Sequence, residues 1–412
     1  MMRRLAILLA IVALVAAACS SDDDASSPTT AGTTEATTET ETTTETETET
    51  TEAAPTGVQA LADACAPGET DGDLNFANWT AYTPTGVLAE NAEVKDLLAG
   101  FEEEFGVNVT LTEYADNETM LAQVAAGVAY DVVVPSDYMV SIMKSGDLLV
   151  KFNQAVIPNL DANILPLFKT TSYDPGNEYS APYQWGTTGI GYKYGSIDDE
   201  NGVSWAVIFD PDVSAPNAGF ISLLDDTRET LGSALKYLGY SLNTTVEAEV
   251  DEAAQLIFDT KDRLAAFNSS SYWTLLTTGE TVVAQGWNGD FLAEYDSIST
   301  DDYDAYEDYG YAIPIEGSAA WVDTMAIPTT TEHPCTAQTF VNYMLDAENG
   351  AALTNYNYYA SPNEASEEFI YPEILEDPSI YPPPETMAIL EFFEDLGDFN
   401  NYYADAFAIA KG

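Results

Sequence analysis

The chain has 412 residues, 46% of them hydrophobic, which is enough for two domains with sizeable cores. It carries 12 Lys plus Arg against 69 Asp plus Glu, a formal net charge of −57, and a surface of that sign repels phosphates, so nucleic acid is excluded as a partner. The same field gathers cations, or else serves solubility or adaptation to salty surroundings.

Arg3 and Arg4 precede an apolar run over residues 5–18, too short for an ordinary membrane-spanning helix and right for a signal-peptide core. The run ends in VAAAC followed by SSDDD. This resembles the lipobox of bacterial lipoproteins, which implies a signal peptide over 1–19, lipidation at Cys19 and attachment to the membrane through it; a plain secretory signal cut at A-x-A is the alternative. Either way the folded part works outside the cytoplasm, in a periplasm or at the cell surface. With Cys19 assigned, Cys65 and Cys335 are an even pair in an oxidising compartment and are expected to form a disulfide, two buried free thiols being the alternative. Residues 20 to about 54 are Thr, Glu, Ser and Asp with no apolar period, unable to bury anything. They read as a disordered tether, taken to continue to residue 72.

The folded part opens with DLNFANWTAY, a strand ending in an aromatic and polar loop. VKDLLAGFEEEFG has helical spacing and stops at Gly106; VNVTLTEY alternates as a strand; NETMLAQVAAG reads as a helix opened by Asn117. YDVVVPS is a continuous apolar strand broken at Pro135, the kind buried on both faces of a parallel sheet. This alternation indicates an α/β domain, whose ligands bind beyond the carboxyl ends of its strands, and NWTAY and VPSDY lie at such ends.

A second α/β set follows. YQWGTTGIGYKY holds Gly186, Gly189 and Gly191 but has neither the helix nor the Lys-Ser/Thr pair of a phosphate loop, so it reads as a crossover between lobes. FISLLDDTRETLGSALKYLG is a strand running into a helix, EAAQLIF lies in a long helix, and TVVAQGWNGDF is a strand. In AWVDTMAIP, strand alternation points Trp321 and Asp323 to one face and Val322 to the other. A strand end with a solvated aspartate would explain that pair; a face of indole plus carboxylate also suits an alkylammonium. The chain crosses between two α/β lobes more than once, so a cleft is expected.

The segments NWTAY (78–82), YDVVVPSDYMV (130–140), YSAPYQWGTTGIG (179–191), LLDDTRET (223–230), AAFNS (265–269), GWNG (286–289), WVDTMAIP (321–328) and YYASPN (358–363) occur in order over the whole folded part. Together they resemble the polyamine-binding receptors of bacterial ABC importers. The resemblance implies a two-lobed periplasmic-binding-protein fold with a ligand cleft, hinge crossovers, no catalysis, and delivery of spermidine or putrescine to an ABC permease. Lobe 1 is expected over 73–188 and 322–367, lobe 2 over 189–321 and 368–412, the protein acting as a monomer without cofactor or metal. Carried over by position, Trp79, Thr80, Tyr82, Ser136 and Tyr138 are wall residues, Asp226 and Glu229 an acidic pair, Trp287 and Trp321 an aromatic box, Asp323 the carboxylate for an amine, and Tyr359 a further wall. Ala81 stands where the family resembles NWTEY, with a glutamate that contacts one end of the ligand, and Glu394 in EFFEDLG is the candidate replacement charge.

Other readings remain at this level. Asp226 and Glu229 also suit the positive end of a helix, and a carboxylate pair could hydrolyse glycosides. Histidine catalysis is nearly excluded because His333 is the sole histidine. Among binding proteins, thiamine is a rival cation; iron would favour a tyrosine cluster, and a phosphonate would favour arginines. The acidic run STDDYDAYEDYG (299–310) misses the calcium-loop pattern and reads as a solvated loop.

Overall fold

A computed structural model of the protein describes residues 57–85 and 95–412. The signal segment, Cys19 and the Thr/Glu-rich stretch lie outside the described residues. Among these, no helix is long and apolar enough to cross a membrane.

The expected tether to residue 72 is corrected over its last part. Helix α1 (Val58–Ala64) is followed by Cys65, joined to Cys335 with a Cα–Cα distance of 5.3 Å. Gln59 exchanges hydrogen bonds with the backbone of Lys151 (2.8 and 3.0 Å), and Gln338 donates to the Ala62 carbonyl (3.0 Å). Polar side chains thus hold a short helix that has little stability alone. Because the cysteines are 270 residues apart, loop-closure entropy alone sets an upper figure of roughly 5 kcal/mol for the bond. Reduction, or Cys335→Ala, is expected to lower the melting temperature and to make α1 the first protease-sensitive segment; an unchanged melting curve with dithiothreitol would contradict this.

Two groups of parallel strands are joined by antiparallel ones. Strands β1 (Leu74–Trp79), β2 (Val109–Tyr114) and β3 (Val132–Val133) form the first group, ordered β2-β1-β3. Long strand β4 (Ser180–Lys193), then β5 (Ile221–Leu223), β6 (Leu264–Phe267), β7 (Val283–Trp287), β8 (Tyr309–Ala312) and β9 (Ala319–Ala326) complete the path β2-β1-β3-β9-β4-β7-β5-β6; β8 pairs with β4, and β10 (Glu391–Phe392) with β9. In β4, residues 180–187 pair antiparallel with β9, and residues 188–192 pair with β7. One strand therefore serves both α/β lobes, as a crossover must.

YDVVVPS shortens to the two residues of β3, parallel to β1 but antiparallel to β9. Pro135 lacks the N–H to continue the ladder, and helix α4 (Asp137–Ser145) begins two residues later. Helix α2 (Leu97–Phe105) ends at Gly106 in the left-handed conformation (φ 70°), the usual glycine stop. Helix α3 (Asn117–Ala125) is capped by Asp116, which accepts from the Thr119 amide (2.7 Å), rather than by Asn117. Asn117 instead turns inward: its Oδ1 accepts from the Ser136 amide (3.1 Å) and its Nδ2 donates to the Ser136 hydroxyl (3.1 Å).

Gly186 lies where the ring of Trp321 crosses β4. A Cβ there would meet that ring and Asn288 Oδ1 at 2.6 Å. The glycines of this strand answer to flat rings laid against it, not to phosphate.

Candidate functional site

The carboxyl ends of the parallel strands converge on one narrow cavity with room of about 60 Å3 for the centres of water-sized molecules. Trp79 and Thr80 arrive at the end of β1, Tyr114 at the end of β2, Ser136 and Tyr138 after β3, Asp226 and Glu229 after β5, and Trp287 at the end of β7. Tyr82, Tyr359 and two residues of β9, Trp321 and Asp323, close it. Eleven of the residues expected from sequence therefore share a cavity; Glu394 does not. It is exposed and borders a separate cavity with Asp137 and Val322. Residues 391–394 all border that second cavity, and of these only Phe393 also reaches the first.

Asp323 is buried. Ser136 donates its hydroxyl to Oδ1 (2.7 Å) and Tyr82 to Oδ2 (2.9 Å). Burial pushes its carboxyl up to about 7, the two hydroxyls opposing that rise. Glu229 is also buried; Trp287 Nε1 donates to its Oε1 (2.9 Å), and the Thr188 side chain also lowers its pKa through a hydrogen bond. Burial, then the nearby charge of Asp226, pushes Glu229 up to about 8. Asp226 caps helix Thr227–Leu238, accepting from the amides of Arg228 (2.9 Å) and Glu229 (3.0 Å). Its helix-end role is thus real, yet it also lines the cavity; burial raises its carboxyl and those amides lower it.

No lysine or arginine among the described residues forms an ion pair with these carboxylates. Arg228 lines the cavity, but its guanidinium donates to the Glu394 carbonyl (3.0 Å), Asn400 (3.1 Å) and Asn243 (2.8 Å) and lies against Tyr138, Phe393 and Tyr403.

Rings fill the spaces between the charges. Trp321 meets Tyr359 edge to face (centroids 5.1 Å), and Tyr359 meets Tyr82 (5.4 Å); Trp79 meets Trp287 (6.1 Å). Trp321 Nε1 is buried without a partner. The aromatic box is thus two edge-to-face sets, one beside Asp323 and one beside Glu229. Gly186→Ala is expected to displace Trp321 at an overpacking cost of about 1–3 kcal/mol and to weaken cation binding with little change in fold; calorimetry against unchanged circular dichroism checks it.

Sequence reasoning missed Asp290, Trp273, Tyr114 and Asn117, all on the cavity wall. Asp290 is the most consequential. It is partly exposed by surface area yet held by Tyr272, whose hydroxyl donates to Oδ2 (2.6 Å), and burial pushes its carboxyl up to about 6. Its signal was present: Asp290 follows Trp287 by three residues at the start of helix Asn288–Ile298, the same side of the first turn.

The family profile of bacterial extracellular solute-binding proteins matches residues 96–382. The chain belongs to that family. It is 31% identical over 358 residues to the spermidine/putrescine-binding periplasmic protein of Escherichia coli, covering 86% of this chain and 96% of that one. It is 36% identical over 328 residues to a putrescine/cadaverine-binding protein of Pseudomonas aeruginosa, covering 78% and 88%. A solved Listeria monocytogenes structure named for spermidine/putrescine ABC transport superposes with a TM-score of 0.73 at 32% identity, covering 83% of this chain and 99% of that one. The solute-binding family and its two-lobed architecture account for the double α/β plan and for a cavity built from the strand ends of both lobes.

Proposed function

We propose that this solute-binding protein captures a polyamine outside the cytoplasm and hands it to an ABC importer, without chemistry on the ligand. The carrying observation is a pair of buried carboxylates, Asp323 and Glu229, walled by indole and phenol rings and left unpaired by any protein cation among the described residues. Buried carboxylates without a counter-charge are costly, and Glu229 has only the neutral side chains of Trp287 and Thr188 to offset its charge. A slender methylene chain with an ammonium at each end answers both carboxylates. Its nitrogens supply the missing counter-charge and its stem covers the rings. The names of the relatives in Escherichia coli and Pseudomonas aeruginosa support the same ligand class.

Asp290 adds a carboxyl group on the Trp287 side, so the loss of the family's glutamate at Ala81 still leaves Asp226, Glu229, Asp290 and Asp323 on the cavity wall. Ala81 itself is exposed, sits at φ 60°, and gives its amide to Glu113 Oε1 (2.9 Å). The lobes follow the proposed division 73–188 with 322–367 and 189–321 with 368–412, and ligand bridging the two stabilises the closed form by its differential affinity. The mature chain is proposed to begin at a lipidated Cys19, to stand off the membrane on the Thr/Glu-rich stretch, and to act as a monomer on its permease. Calorimetric titration with putrescine, cadaverine, spermidine, spermine and thiamine is the test. Binding of at least one polyamine near roughly micromolar, about −8 kcal/mol, is expected; indifference to all four would reject the reading, and a preference for thiamine would replace it.

A further inference from the structure

On one side the narrow first cavity is shut by a stack of buried side chains, Tyr138, Arg228 and Phe393. The guanidinium carbon of Arg228 lies 5.0 Å from the Phe393 ring centre and 5.5 Å from that of Tyr138, and the two rings meet edge to face at 6.2 Å. Each of these side chains also borders open space. Phe393 lines the second cavity, a groove open to solvent with room of about 570 Å3 for the centres of water-sized molecules, against about 60 Å3 in the first. Tyr138 and Arg228 border a further groove beside Asp116 and Glu118. The stack is therefore the partition between ligand cavity and solvent as well as part of a core.

Its position is fixed by the chain around it. Phe393 follows β10, whose two residues pair with Ala319 and Ala320 of β9. Asn243 then clamps the backbone on both sides of the ring: its Nδ2 donates to the Phe392 carbonyl (2.8 Å), and its Oδ1 accepts from the Glu394 amide (3.0 Å) and from the Arg228 guanidinium (2.8 Å). The ring rests on Gly232 of helix Thr227–Leu238, where an added Cβ would lie 3.6 Å from it. One amide thus holds both the backbone that carries the ring and the guanidinium packed on it.

Both components act against a longer cation. The phenyl ring offers no acceptor to an ammonium stripped of water, and its interaction with a cation is already taken up by Arg228. The guanidinium repels a further ammonium. Asp226, whose carboxyl feels the Arg228 charge, offsets part of that repulsion; the ring remains as the physical stop. Asp323 and Glu229 supply partners for the two ends of a diamine, whereas the aminopropyl arm that a triamine adds meets an apolar ring and a like charge on this side. We infer that Phe393, backed by Arg228, sets the length of polyamine the cavity accepts, favouring diamines over triamines. The inference rests on the polyamine reading of the first cavity and names which members of that class it takes.

The test is calorimetric titration of putrescine and of spermidine into the full-length parent, Phe393→Ala and Phe393→Leu, with melting curves as a check on folding. The parent is expected to bind putrescine at least about tenfold more tightly than spermidine. Phe393→Ala joins the cavity to the open groove, and the ratio of the two affinities is expected to move toward spermidine by at least about tenfold. Lost packing alone would weaken both amines alike and leave that ratio unchanged. Phe393→Leu removes less volume and keeps an apolar core side chain; it is expected to move the ratio the same way by about threefold, and it decides the matter should Phe393→Ala fail to fold. A parent that binds spermidine as tightly as putrescine, or a ratio unchanged in the folded variant, would overturn the inference and leave the polyamine reading standing. A parent that binds neither amine overturns both.

Discussion

Replacing Asp323 by asparagine is expected to weaken polyamine binding by two to three orders of magnitude while leaving the empty protein folded. Asparagine keeps the size of the side chain, and its carbonyl still accepts a hydroxyl, from Ser136 or Tyr82. What disappears is the charge. Removing one member of a buried, hydrogen-bonded charge pair typically costs about 2–5 kcal/mol, most of it the penalty of leaving the other charge desolvated and alone. In the unliganded state the neutral variant gives up one of two accepted hydroxyl bonds, offset by removal of a buried carboxylate whose charge is itself unfavourable. The melting temperature of the empty variant at pH 8 is therefore expected to match or exceed that of the parent. Calorimetry and thermal melts on the same preparation check both halves. Equal affinity in parent and variant would show that Asp323 does not meet the ligand; collapse of the fold would show that it is structural.

The second large effect is on pH, and it runs in opposite directions for stability and for binding. Burial raises Asp323 to about 7 and Glu229 to about 8, far above ordinary carboxylates. An acid whose pKa is higher folded than unfolded holds more protons in the native state between those two values, so stability falls as pH rises through that window. The favourable contribution is complete below about pH 4 and gone above the folded value. From pH 5 to 8, Asp323 alone is expected to remove roughly 3 kcal/mol from the unliganded protein. An amine ligand stays cationic throughout this range and needs the carboxylates ionised. Affinity is therefore expected to rise with pH, by up to tenfold per pH unit for each carboxylate that must release its proton. Titrations in buffers of different ionisation enthalpy should reveal that proton release below about pH 7.5, and saturating polyamine should flatten the decline in melting temperature. A melting temperature that rises steadily from pH 5 to 8 without ligand would contradict both statements.

Much of this plan is legible along the chain. Strong local periods mark the helices of 97–105, 117–125 and 227–238, and the apolar, β-branched content of β1, β2 and β9 marks strands; local sequence governs these because each needs only its own spacing and one buried face. Boundaries were harder. YDVVVPS reads as one buried strand, yet the turn into α4 leaves only Val132–Val133 in the ladder, because a proline and a helix start outweigh β propensity. Asp116 and Asn117 both suit a helix cap by residue type, and only packing decided that Asp116 caps α3 while Asn117 goes to Ser136.

The candidate site divides in the same way. By itself the sequence determined that Trp321 and Asp323 share a strand face, that Asp226 and Glu229 open a helix, and that the chain alternates α and β so that its strand ends would gather ligand. Only the tertiary structure decided that Glu394 stands outside the cavity and that Asp290 stands within it. The reason is physical. Spacing reports which face of one element a side chain occupies, whereas shared burial, hydrogen-bond partners and raised carboxyl pKa values arise only when segments hundreds of residues apart exclude water together.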